Sequence, residues 1–258
     1  MAMLKVLLLL GLGVSVKSDV SLQKRIVGGY DCDDGERRYH VRLQCKKGAE
    51  NIRCGGSLIH SQWILTAAHC WMSEPGWTNV AMLKVHPGNA GQKIEVRLNV
   101  EPVKYIHDKE WHDIVLLKLR KPVKDVPPAR LPRCDIRLKI GDTVQLAGEE
   151  AMTTGPNKKR LFLCFSALPK IPPVPSRLQC VDTKVDAFLQ FMVSRGRIFL
   201  TSAPNKNACH GDSGAAAVYN NMIYGVISES GIDPCQKSPA IIDVCEYMDW
   251  IKETTGME

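Results

Sequence analysis

The sequence has no Cys-x-x-Cys pair, so the spacing that builds a zinc knuckle or a dithiol redox motif is missing. It has no Asn-x-Ser/Thr sequon, so N-glycosylation is not expected. It shows no internal repeat and no low-complexity segment. No base-reading motif accompanies its positive charge, which makes nucleic acid a poor partner. No apolar run reaches the roughly 20 residues of a membrane span. The longest, Val6–Val16, follows Lys5 near the N-terminus. It reads as a secretory signal cut between Ser15 and Ser18, with a buried strand or a membrane anchor as the alternatives.

A chain of 258 residues builds one large core or two small ones, and its 45% hydrophobic share is ordinary for a globular protein. Ten cysteines in an exported chain imply disulfides rather than free thiols or zinc, although sequence alone leaves their connectivity open. The formal charge is +7; residues 1–25 hold four bases and one acid, so a chain starting at Ile26 carries +4. Basic clusters stand at Arg37-Arg38, Lys46-Lys47 and Lys158-Lys159-Arg160. They read as solvated loops or, more sharply, as a surface for sulfated glycans and other polyanions.

Short apolar or alternating runs recur at His40–Gln44, Ser57–Leu65, Ile94–Val100, Ile114–Leu119, Thr143–Ala147, Ile198–Thr201 and Met222–Ser228. Turn residues such as Pro87-Gly88-Asn89 and Gly141-Asp142 punctuate them, the pattern of an all-β protein. Only Tyr247–Lys252, before Gly256, has helical spacing. The basic, proline-bearing stretch Arg120–Pro132 reads as a linker between halves. Thr153–Arg177, with five prolines, reads as an extended loop region, within which Leu161–Phe165 is either a strand or a buried lid.

Three separated segments carry chemistry. Thr66-Ala67-Ala68-His69-Cys70 offers an imidazole, Asp113 enters the apolar run Ile114–Leu117, and Gly211-Asp212-Ser213-Gly214 places a hydroxyl where the backbone approaches a substrate closely. A serine hydroxyl is a poor nucleophile near neutral pH and needs a base, which in turn needs an orienting group. Taken singly, His69 reads equally as a packed core histidine, Asp113 as a cap and Gly-Asp-Ser-Gly as a turn. In the order His, Asp, Ser, and joined by Ile26-Val27-Gly28-Gly29 after Arg25, they resemble the chymotrypsin/trypsin-like serine proteases over residues 26–258.

That resemblance implies two packed six-stranded antiparallel β-barrels with a C-terminal α-helix, and the catalytic groups between them. It implies His69, Asp113 and Ser213 as the catalytic set and the N–H groups of Gly211 and Ser213 as the oxyanion hole. It implies residues 1–18 as signal, 19–25 as propeptide and 26–258 as the protease domain, with cleavage after Arg25 freeing Ile26 to pair with Asp212. It pairs Cys32 with Cys180, Cys54 with Cys70, Cys134 with Cys245 and Cys209 with Cys235; the remaining Cys45 and Cys164 are expected to pair with each other. No cofactor and no metal are implied. Lys84–Lys93, where the family's calcium loop would lie, holds no carboxylate. A metal reading of the string His107–Asp113 is weaker than its place at a strand entry.

The chain also departs from the family. Ala215 stands where a second glycine is usual, and its methyl group is expected to strain the backbone. Glu149-Glu150 stand where Trp-Gly is usual, and His210 precedes the oxyanion glycine. The substrate pocket is assigned to Asn207, Ser228, Glu229, Ser230 and Ala240. An amide at Asn207 lacks the charge that pairs with Lys or Arg, so tryptic cleavage is not expected. Glu229 weakens an apolar wall, while Ser230 and Ala240 narrow the entrance. The function implied is a secreted serine endopeptidase made as a zymogen, extracellular or granule-stored, loosely similar to granzymes and related defence or digestive proteases. Its expected partners are polypeptide substrates, an activating trypsin-like protease, serpin-type inhibitors and sulfated glycans. The alternative is a catalytically weak or inactive homologue that binds polyanions or microbial envelopes.

Overall fold

A computed structural model describes residues 29–88, 94–97 (backbone only), 101–149, 177–190, 196–202, 212–228 and 239–258. The chain runs β1 (Tyr30–Asp31), β2 (His40–Lys47), β3 (Glu50–His60), β4 (Trp63–Thr66), β5 (Thr78–Leu83), β6 (Ile94–Arg97), β7 (Val103–His107) and β8 (Glu110–Lys118). It continues through β9 (Thr143–Gly148), β10 (Gln179–Gln190), β11 (Arg197–Ser202), β12 (Ala216–Tyr219), β13 (Met222–Ile227) and β14 (Ala240–Asp243) to helix α1 (Met248–Thr255).

In the second half, β10-β11-β14-β13-β12-β9 closes into a six-stranded barrel, because β9 returns to pair with β10; β1 adds to β10 from outside. The first half is the sheet β6-β5-β2-β3-β4-β8-β7, with β6 and β7 at its ends in the described pairings. Every strand pairing among the described residues is antiparallel, as expected of the all-β reading.

The continuous apolar run Ile114–Leu117 is buried along its whole length in β8, beside Leu58, Ile64 and Leu65. Burying each such side chain contributes roughly 1.5–3 kcal/mol. The second barrel centres on Leu146, Val181, Phe199, Tyr224 and Ile241. The Ser57–Leu65 run is two strands, because Ser61 and Gln62 turn the chain between β3 and β4. β10 alternates buried Val181, Thr183 and Val185 with exposed Asp182, Lys184 and Asp186; its charged outer face hid it among the apolar runs. The C-terminal helix ends at Gly256, whose φ of 73° is the left-handed conformation that glycine adopts freely. Ile251 on that helix packs into the cluster that contains the β8 side chains, and the Trp250 ring meets Tyr105 of β7, tying the chain end to the first half.

Among the described residues, disulfides join Cys32 to Cys180, Cys54 to Cys70 and Cys134 to Cys245. Cys209, Cys235 and Cys164 lie outside the described residues. The expected Cys45–Cys164 bridge is not formed: Cys45 is a free, buried thiol. Its side chain points into the first half, where Sγ donates to Asn79 Oδ1 at 2.9 Å and approaches the Cys70 carbonyl at 3.3 Å. Burial pushes its pKa up to about 11, against a lowering contribution from the Met72 backbone.

Arg37 departs from the reading of its cluster as a solvated loop. Its guanidinium is buried and donates to Gln145 Oε1, the Gln145 carbonyl and the Ala216 carbonyl, lacing the N-terminal segment onto β9 and β12. Arg38, Lys46 and Lys47 are exposed, and Lys158–Arg160 lie outside the described residues.

Candidate active site

β4 ends at Thr66, and a single 3-10 turn, Ala68–Cys70, carries His69 to the surface. The Cys54–Cys70 disulfide ties that turn to β3. Thr66↔Val115 register sets β4 beside β8 and brings Asp113 under the turn. Asp113 lies within β8 rather than at its entry. The strand starts at Glu110, after a two-residue hairpin in which Asp108 and Lys109 both have positive φ. That hairpin places His107 opposite Glu110, and His112 bonds through Nδ1 to the Tyr247 hydroxyl at 2.8 Å.

The Asp113 carboxylate accepts from the His69 backbone N–H at 2.9 Å and from His69 Nδ1 at 2.9 Å to Oδ2 and 3.0 Å to Oδ1. The Ser228 hydroxyl donates to Oδ2 as well. Burial opposes ionisation of Asp113, but the His69 hydrogen bond and charge together with the Ser228 bond outweigh it and hold the carboxyl below its ordinary value. An ionised carboxylate only accepts, so Nδ1 carries the imidazole proton and Nε2 is left with a lone pair. The imidazole is 41% exposed while Asp113 is buried, so the acceptor nitrogen belongs to a ring that solvent reaches.

Ser213 lies in a turn gripped from both halves. Gly55 N of β3 donates to the Ser213 carbonyl at 2.7 Å, and Gly214 N donates to the Ile227 carbonyl at 2.6 Å. Gly214 has φ of 81°, and a Cβ there would come within 2.3 Å of the Gly55 carbonyl, so only glycine fits. The Ser213 carbonyl lies 3.6 Å from Cys70 Sγ, which sets the serine beside the His69 turn. Its hydroxyl donates to the Ser228 carbonyl at 3.0 Å. Ser228 therefore touches both other members: its hydroxyl holds Asp113 and its carbonyl holds Ser213. The Ser213 hydroxyl is thus directed at the Ser228 carbonyl.

Asp212 is fully buried, its carboxylate against the α-carbon of Gly148. Ala215 is not strained. Its φ is not positive, and its methyl group occupies space that Gly55 leaves open, since a Cβ on Gly55 would lie 2.6 Å from it. Ala240 is buried at the start of β14, and its carbonyl accepts from Ser228 N at 2.9 Å, so it backs the Ser228 wall. Arg25, Ile26, Asn207, Gly211, Glu229 and Ser230 lie outside the described residues. Glu149, read from sequence only as a departure, forms a fork with Arg42: Nη2 donates to Oε1 at 2.9 Å and Nε to Oε2. Nothing in the sequence couples positions 42 and 149, and only the packing of the two halves reveals the pair. Cys54, His69 and Cys70 cluster as a metal site would, but both sulfurs are committed to a disulfide and offer no thiolate.

Residues 26–251 match the family model for trypsin. The chain belongs to the trypsin family. Relatives include Trypsin-4 of Rattus norvegicus, 30% identical over 255 residues that cover 94% of this chain and 95% of that protein. Trypsin II-P29 of Gallus gallus is 32% identical over 246 residues, 89% of each. Solved structures with the same fold include neuropsin, a serine protease expressed in the limbic system of mouse brain, with a TM-score of 0.65 and 22% identity over 89% of this chain and all of that one. A structure of GrC gives a TM-score of 0.70 and 23% identity over 90% of this chain and all of that one. A trypsin-family serine hydrolase accounts for the disulfides and for the two-halved site described above. Among the described residues no helix is long and apolar enough to cross a membrane.

Proposed function

We propose that this chain is a secreted serine endopeptidase, made as a zymogen and switched on by cleavage after Arg25. Ser213 is the nucleophile, His69 takes its proton through Nε2, and Asp113 holds the imidazole tautomer and stabilises the imidazolium. The N–H groups of Gly211 and Ser213 receive the developing oxyanion. The observation that carries this reading is the His69–Asp113 pair, bonded through Nδ1 and the backbone, with Ser228 joining it to Ser213. An aspartate that served only as a cap would not meet the imidazole Nδ1.

The new N-terminus at Ile26 is proposed to pair with Asp212. Such a buried ion pair would couple cleavage to the order of the nucleophile turn. Substrates are polypeptides with a small or medium uncharged residue before the cut, since Asn207 supplies no charge for Lys or Arg. Serpin-type inhibitors and a trypsin-like activator are the matching protein partners. The exposed bases Arg38, Lys46 and Lys47 leave sulfated glycans as a lesser proposal.

The test is labelling by a fluorescent peptidyl phosphonate before and after cleavage at Arg25. Labelling that follows cleavage, and is lost in Ser213→Ala and in Arg25→Gln, supports the reading. A correctly cut protein that never labels overturns it in favour of a binding protein on this fold. Peptide-library profiling with predominant cleavage after Lys or Arg overturns the pocket assignment.

A further inference from the structure

The nucleophile turn is held between two glycines from different halves of the molecule. Gly55 of β3 grips the Ser213 carbonyl and leaves space for the Ala215 methyl group. Gly148, the last residue of β9, backs the Asp212 carboxylate so closely that a Cβ there would lie 1.6 Å from Oδ1. Each glycine is tied to one member of the buried fork. Gly55 lies opposite Arg42 in the β2–β3 ladder, and Glu149 is the residue after Gly148. The Arg42 and Glu149 side chains are 6% and 11% exposed.

The contacts form a ring: β3 at Gly55, the turn Asp212–Ala215, β9 at Gly148, then Glu149, Arg42 and back to β3 through β2. A two-point fork between guanidinium and carboxylate fixes orientation as well as distance. Burial offsets much of the attraction in such a pair, so its stabilising effect is modest and geometry is what it supplies. We propose that Arg42 and Glu149 are a positioning pair that sets the spacing of the two glycine walls and thereby the aim of Ser213 and its N–H. Both act through the turn rather than on substrate. The proposal deepens the protease reading and rests on it.

The test uses the cleaved full-length protein and two variants, Glu149→Gln and the apolar pair Arg42→Met/Glu149→Leu. The apolar pair is expected to keep its melting temperature within a few degrees of the parent. Both variants are expected to lose at least about tenfold in phosphonate labelling rate and in kcat, with KM within about twofold, because small misplacements of reacting groups are costly in rate. Amide exchange at Gly214 and Ala215 is expected to quicken. Labelling within twofold of the parent in a folded apolar pair, with unchanged exchange at Gly214 and Ala215, overturns the proposal. If the cleaved parent does not label, the protease reading fails, and exchange at Gly214 and Ala215 alone decides whether the pair orders the turn. Should the apolar pair fail to fold, Glu149→Gln carries the same decision.

Discussion

One added methyl group at Gly148 should separate the stability of the six-stranded barrel from the reactivity of the proposed nucleophile turn. In Gly148→Ala the new Cβ would lie 1.6 Å from Asp212 Oδ1 and 2.1 Å from its Cγ, and Asp212 is fully buried. The carboxylate must therefore swing away or push β9 outward. Overpacking of this kind costs about 1–3 kcal/mol. In a domain of this size each kcal/mol shifts Tm by roughly 2–4 °C, so a loss of about 4–8 °C is expected at mid-range. Gly225→Ala is the matched control. Its Cβ would meet Ile241 Cγ2 at 2.3 Å and Phe199 Cζ at 2.8 Å, in the barrel core rather than at Asp212. It should melt at a comparably lower temperature. The two should part in chemistry. On the proposed function the Ser213 N–H is an oxyanion donor; moving Asp212 tilts the turn that presents it, and losing one such donor costs about 100-fold or more in rate. After cleavage at Arg25, phosphonate labelling per folded molecule should fall by that order in Gly148→Ala and stay within about threefold in Gly225→Ala. Equal labelling by the two variants would refute the link between the Gly148 wall and the turn.

His40 should make the fold acid-sensitive. Burial lowers its pKa to about 4, against the raising effect of Glu149, so the unfolded chain binds a proton that the folded one refuses. Stability is full above the unfolded value of roughly 6.5 and falls as pH drops toward 4, by about 3 kcal/mol in all. Urea unfolding midpoints between those pH values should show that slope, and His40→Gln should flatten it. The Cys45 thiol, buried and held in its protonated form, should resist iodoacetamide in the native protein and react once guanidinium unfolds it without reductant. An alkylation-resistant Cys45 in the unfolded, unreduced chain would reveal a bridge after all. Removing the Cys54–Cys70 disulfide by paired alanine substitution should cost about 3 kcal/mol for a loop of 16 residues, read as a lower guanidinium midpoint.

Much of this protein is legible along the chain. The apolar runs mark β2, β8, β9, β11 and β13, and the helical spacing near the C-terminus marks α1. Strands with a charged outer face, such as β10, or only four residues long, such as β12 and β14, carry too weak a local pattern to stand out. The residues of the His69–Asp113 pair were identifiable because each sits in a short segment with its own signature. Along the chain Ser228 reads as a pocket wall, and its bonds to Asp113 and Ser213 span 115 and 15 residues that no local pattern relates.

Chemistry-bearing residue types and their order belong to the sequence by itself, because a base, an acid and an alcohol are recognisable wherever they stand. Which groups share a wall, which charge is buried and which thiol stays single were decided only when two halves closed on each other. Burial and hydrogen-bond geometry depend on neighbours brought from far along the chain. The solvated Arg37 and the bridged Cys45 of the linear reading became a buried lace and a lone thiol for that reason.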